Sequence, residues 1–181
     1  MGAWASYGLG TEAENLPGFV VLNGGMIPIG GVANWSSGFL PARHEATQFN
    51  LTGGAVMENL AAPGTAAARA NQLAFIAEND RVFASQLGAQ SGAVETAIRN
   101  YELAAAMQTA VPEAADLRSE SAATHQLYGT DSTNSLKARY ARQCLQARRL
   151  IERGVRFVEV SAVNGIRFVA PWDQHGSLKK D

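Results

Sequence analysis

Asp173 and His175 stand two apart in Pro171-Trp172-Asp173-Gln174-His175-Gly176, the stretch of this chain whose residue types and spacing most suggest chemistry. In an extended segment alternate side chains share a face, so a carboxylate and an imidazole at this spacing can converge on one cation. A closed metal site needs more ligands than the segment carries. On spacing alone the pair therefore reads first as a solvated loop and second as half of a metal site. The other imidazoles, His44 and His125, have no carboxylate or thiol at ligand spacing and read as structural or solvent-facing. Cys144 is the single cysteine, which rules out an internal disulfide and leaves the redox compartment open. It falls on an apolar helical stripe, the place of a small buried hydrophobe rather than a reactive thiol.

The elements that must position Asp173 and His175 lie just before them. Leu136, Tyr140, Cys144, Ala147 and Ile151 recur at helical spacing, so Ser135 to Arg153 reads as a helix with one apolar stripe, from which Lys137, Arg142 and Arg149 point away. Gly154 is placed to stop that helix in the left-handed region, and Val155-Arg156-Phe157-Val158-Glu159-Val160 follows as a strand with no room for a long loop. Phe157 and Val158 face opposite ways and are both apolar, which predicts an interior strand covered on both sides. Short helix-to-strand connections belong to sheets whose strands are joined by helices. Such sheets carry their reactive groups beyond the carboxyl ends of the strands, where Asp173 and His175 fall. Between strand and site, Val163-Asn164-Gly165-Ile166 suits either a hairpin that makes Ile166 to Val169 an antiparallel partner or a plain loop.

Earlier in the chain, Phe19-Val20-Val21-Leu22 is the convincing strand. Asn23 to Pro41 is Gly-rich turn sequence without the ending of a phosphate loop or a dinucleotide fingerprint. Trp35-Ser36-Ser37-Gly38-Phe39-Leu40-Pro41 reads as an aromatic plug over the core, with contact to substrate as the alternative. Helical spacing covers Ala67 to Asn79 and Ala93 to Ala110, with Pro112 expected to end the second. A short helix over Leu117 to Tyr128 leads to a turn at Gly129 to Ser132, and Ser135 is the expected cap of the next helix. With 181 residues, no repeat and no low-complexity linker, one domain is expected. Fifteen Lys and Arg against sixteen Asp and Glu argue against nucleic acid or an anionic membrane as the partner. No apolar run approaches the roughly 18 residues of a membrane span. Few strands for so many helices leave edges and faces uncovered, so the chain reads as a piece of a larger fold.

Several blocks are similar to a bacterial family known as domain of unknown function 1501. They are Met1-Gly2-Ala3-Trp4-Ala5-Ser6-Tyr7-Gly8-Leu9-Gly10, Asn15 to Leu22, Asn34 to Pro41, Tyr101-Glu102-Leu103-Ala104, Pro112-Glu113-Ala114, Leu127-Tyr128-Gly129, Cys144 to Val158 and Trp172-Asp173-Gln174-His175. They stand in the family's order and span the whole chain. The family resembles the alkaline-phosphatase and sulfatase superfamily, which implies an α/β fold, part of a three-layer αβα sandwich around a largely parallel sheet. Members are more than twice as long, so residues 1 to 181 are expected to be a single partial domain, cut at both ends.

The resemblance implies an exported hydrolase of sulfate or phosphate esters, on a small-molecule or polysaccharide substrate, with Asp173 and His175 as ligands of a divalent zinc, calcium or magnesium ion. The nucleophile is expected in parts of the protein beyond this sequence. Cys144-Leu145-Gln146-Ala147-Arg148 echoes the sulfatase nucleophile motif but has Gln146 where that motif needs proline. By itself the chain is expected to be inactive. A second expectation, from another class, is a non-catalytic exported protein of the same fold that holds a glycan or other polymer through the loop from Trp35 to Phe39.

Overall fold

A computed structural model describes residues 1–23, 27–28, 30–50, 56–57, 60, 64–87 and 92–161. The expected ligands Asp173 and His175, Trp172 beside them and the proposed hairpin at Asn164-Gly165 lie outside the described residues.

The described chain is mixed α/β. In order it forms α1 (Gly2–Leu9), β1 (Phe19–Asn23), β2 (Thr47–Asn50), α2 (Ala66–Leu87), α3 (Gly92–Ala115), α4 (Ala122–Tyr128), α5 (Ser135–Glu152) and β3 (Phe157–Val160), with 3-10 turns at Gly31–Trp35, Ala42–His44 and Leu117–Ser119. The strands make one parallel sheet in the order β2-β1-β3. Register pairs Leu22 with Phe49 and Val160, so these three line one face, and Phe19 with Phe157, which line the other.

Each face has its own core. Val20, Leu22 and Phe49 pack with Leu16, with Met107, Val111 and Ala114 of α3, and with Leu150 of α5. On the opposite face Phe19, Val21 and Phe157 surround Trp35. α1 lies against that second face so closely that a Cβ on Gly2 would come within 2.5 Å of the Phe19 ring.

The strand over Phe19 to Leu22 and the left-handed Gly154, at φ 87°, are as the sequence predicts. Helices α2 and α3 extend past the expected ends. Pro112 lies within the last turns of α3, where its missing N–H costs one hydrogen bond and the helix still runs on to Ala115. The helix expected over Leu117 to Tyr128 is a 3-10 turn followed by α4, which starts at its own cap, Ser121. Asn134, not Ser135, caps α5, its side-chain oxygen accepting from the amides of Leu136 and Lys137. Among the described residues β1 is the central strand and β3 lies beside it, with Phe157 packed into one core and Val158 into the other, so that both faces of β3 are covered as the sequence predicts.

The apolar stripe of α5 is also turned. Leu136 and Ile151 are 40% and 51% exposed, whereas Ala138, Ala141, Leu145 and Leu150 are buried. Arg149, expected to point away, is buried as well: its guanidinium donates to the carbonyls of Ala114 (3.2 Å) and Glu113 (3.1 Å) and to Glu120 (2.6 Å). The cause is the open end of α3, whose last carbonyls have no partner within the helix. Gln146 and Arg149 supply donors to them, so a polar side of α5 faces inward there.

Candidate functional site

Because the three strands are parallel, their carboxyl ends lie along one edge, the edge at which open α/β sheets bind ligands. Asn23 and Asn50 are register partners there, and Ser161 follows Val160, its amide donating to the Leu22 carbonyl at 3.1 Å. Behind them Gln143 of α5 is buried and donates to the same carbonyl at 3.3 Å. The edge is thus built of two asparagines, a serine and a glutamine. Among the described residues it brings hydrogen-bonding groups and no charge. Asp173 and His175 come in the sequence that leaves β3 through Ser161. Among the described residues no group of three or more His, Cys, Asp and Glu could hold a metal ion.

A buried hydroxyl–imidazole pair lies elsewhere. Ser6 Oγ is 2.9 Å from His44 Nδ1, both residues are buried, and the Tyr7 ring meets the imidazole edge-on. The sequence predicts a structural or solvent-facing His44, and the geometry makes it structural. Arg43 Nε donates to His44 Nε2 at 3.1 Å, and a guanidinium can only donate. Nε2 is therefore the bare nitrogen, Nδ1 carries the proton, and Ser6 Oγ accepts it. A base for Ser6 would need Nδ1 free, so this is a structural clasp and not a nucleophile with its base. Burial, and then the Arg43 charge, push the His44 pKa below the ordinary 6.5, which favours the neutral ring.

His125 shows the reverse arrangement. Its Nε2 is 3.2 Å from the Leu117 carbonyl, which fixes the proton on that nitrogen and leaves Nδ1 to accept from Thr130 Oγ1 at 2.7 Å. This is the order of nucleophile, base and orienting group, but Thr130 is fully buried and no substrate reaches it. A polar cleft of about 570 Å³ opens beside it, lined by Arg118, Glu120, His125, Gln126, Asp131 and Ser132. Its strongest charges are already used. Arg118 holds both oxygens of Asp116, and Glu120 is shared between Arg148 and Arg149 at 2.6 Å each.

Cys144 is half-buried rather than buried, and burial pushes its thiol pKa up, away from a reactive thiolate, although Tyr140 hydrogen-bonds to it. The aromatic loop divides. Trp35 is 2% exposed and donates from Nε1 to Glu159 at 2.8 Å, so it plugs the sheet face. Phe39 is 84% exposed and meets the Trp4 ring edge-on at 5.2 Å, with Tyr7 next to Trp4. This surface cluster was not legible in the sequence, because Trp4 and Tyr7 lie on a helix that Gly2 and Gly8 hide.

No curated protein and no solved structure matches the chain. A family model described as a protein of unknown function (DUF1501) matches residues 1–181, and the chain belongs to that family.

Proposed function

We propose that this chain is part of an exported, metal-dependent hydrolase of sulfate or phosphate esters, with a sheet that belongs to a three-layer αβα sandwich. The observation that supports it is the parallel sheet whose carboxyl edge carries Asn23, Asn50 and Ser161 immediately before the sequence of Asp173 and His175. In this reading Asp173 and His175 hold the cation, and the neutral edge orients the ester without competing for it. A carboxylate with an imidazole is a donor pair that suits zinc well, and calcium or magnesium through the carboxylate. When bound, the ion neutralises charge on the transferred group and activates the nucleophile. The resemblance to sulfatases and phosphatases supplies the reaction class.

The test is elemental analysis of the gene's full product after exhaustive dialysis, together with aryl sulfate and aryl phosphate assays. Wild type should retain a divalent metal and turn over one ester class. Asp173→Ala with His175→Ala should lose both metal and turnover. Metal retained in full by the double variant would refute the ligand assignment.

The exposed rings of Trp4, Tyr7 and Phe39 favour a second reading, a non-catalytic exported protein that binds a glycan. Trp35 is then part of the core and not of the contact surface. Trp4→Ala abolishing retention on an insoluble polysaccharide, with no ester turnover by the full product, would select it.

A further inference from the structure

We propose that His44 is a proton-operated latch: its neutral ring fastens α1 to the turn at Ala42–His44, and a proton on Nε2 expels Arg43 and frees α1 from the sheet. The geometry assigns every atom of the device. Nδ1–H donates to Ser6 Oγ on α1, and Nε2 accepts from Arg43 Nε. Ser6 has little freedom, because it also closes over Gly18, where a Cβ would lie 2.9 Å from its oxygen. Breaking the Ser6 contact therefore loosens the seat of α1 at the head of β1.

A proton can enter only at Nε2, the nitrogen that holds Arg43. Donor would then face donor and cation would face cation. Arg43 is exposed and can swing into water, but the new Nε2–H is left in a corner only 8% exposed, where an unpartnered charged donor is costly. The imidazolium is relieved only by turning outward, which breaks its bond to Ser6.

The groups facing the ring offer no countercharge. From α1 it meets the Tyr7 ring and the Ser6 hydroxyl. Glu45 on its own turn is exposed and makes no ion pair with it among the described residues. The side of α3 nearest this turn presents Asn100, Leu103, Ala104 and Met107, none of which titrates. Burial and the Arg43 charge both favour the neutral ring. The latch is thus closed above the ordinary histidine value of 6.5 and opens as pH falls through the lower folded value. Opening would release Trp4 and Tyr7 together, since both ride on α1.

The experiment follows the His44 imidazole by NMR and the hydrogen exchange of α1 amides, corrected for intrinsic rate, from about pH 8 to about pH 5. The His44 midpoint should lie below 6.5. Protection of residues 3 to 9 should fall several-fold across that same midpoint while α5 stays protected. Arg43→Met removes the opposing cation and should raise the midpoint, carrying the loss of α1 protection with it. His44→Gln should abolish the pH dependence, and if it does not fold, the Arg43 variant decides alone. Protection that stays flat while His44 titrates, or an Arg43→Met midpoint that does not rise, would overturn the proposal.

Discussion

Replacing Gly154 by alanine attacks the corner at which α5 delivers β3, and its cost follows from the structure. Gly154 has φ 87°, a left-handed conformation that costs an L-residue about 1 to 2 kcal/mol. Its added Cβ would lie 2.6 Å from the Ala13 nitrogen and the Glu12 carbonyl carbon, both backbone atoms. That backbone cannot simply retreat, because the Gly154 carbonyl accepts from the amides of Glu12 and Ala13, at 3.1 Å each, and from Thr11 Oγ1 at 3.0 Å. Overpacking of this kind costs about 1 to 3 kcal/mol, so the substitution should cost about 2 to 5 kcal/mol in all. Whole domains are stable by only about 5 to 15 kcal/mol. Urea unfolding followed by circular dichroism should show a midpoint lower by about 1 to 2.5 M, for a slope near 2 kcal/mol per M. Gly8→Ala is the control: nothing lies within 4 Å of its Cβ position, and alanine in a helix should stabilise by about 0.5 to 1 kcal/mol. Gly154→Asn tolerates the left-handed backbone better but keeps the collision, and should remain unstable. A Gly154→Ala midpoint within about 0.3 M of wild type, at that slope, would refute the reasoning.

Trp35→Phe removes the donor to Glu159 and leaves a carboxylate on the sheet face without it, a loss of about 1.5 to 3 kcal/mol by denaturant unfolding. Adding Glu159→Gln should recover part of that loss. Arg148 and then Arg149 hold the Glu120 carboxyl below its ordinary value of 4.5. The stability it contributes is complete above 4.5 and is lost as pH falls further, so Glu120→Gln should be less stable than wild type at neutral pH and flatter in stability below 4.5. Asp116 is held at about 2, chiefly by hydrogen bonding to Arg118, so its contribution is complete above 3.8 and is lost as pH falls toward 2; Asp116→Asn should be less stable than wild type at neutral pH and flatter in stability below 3.8.

What the sequence conveyed depended on whether a residue's role was set by its neighbours in the chain or by partners far along it. β1 was legible because Phe19 to Leu22 is an unbroken apolar run, and the α5 to β3 corner because a glycine between a helix and a β-branched run has one common use. α1 was hidden because Gly2 and Gly8 weaken its helical signal. Gly2 is there for a contact with Phe19, seventeen positions later, that no local pattern announces. β2 has only Phe49 turned to the core, too little alternation to identify a strand. In α5 two apolar stripes compete. The choice between them is made by the carbonyls of Ala114 and Leu22, which take donors from Gln143, Gln146 and Arg149. A reading that counts polar residues as outward-facing must turn such a helix the wrong way.

The same distinction separates the two edges of the sheet, one closed by backbone and the other ending in polar side chains. At the amino edge the amides of Arg156 and Phe157 both donate to the Gly18 carbonyl, and Gly18 and Gly154 each have their Cβ space taken by a neighbouring segment. Ser6 and His44 close what remains. Backbone is packed there against backbone, and a ligand would have to break the fold to enter. The carboxyl edge is finished instead with side chains, Asn23, Asn50 and Ser161, whose amides and hydroxyl are common both as caps and as ligand contacts. Neutral groups there suit a site whose charge is supplied by the sequence following the strands, because a fixed carboxylate at a strand end would repel an anionic ester. On the hydrolase reading proposed above, Asn23→Asp and Asn50→Asp in the gene's full product should each weaken ester turnover more than they weaken folding. Added separately, they would show whether the edge touches the substrate or only shapes the loop that does.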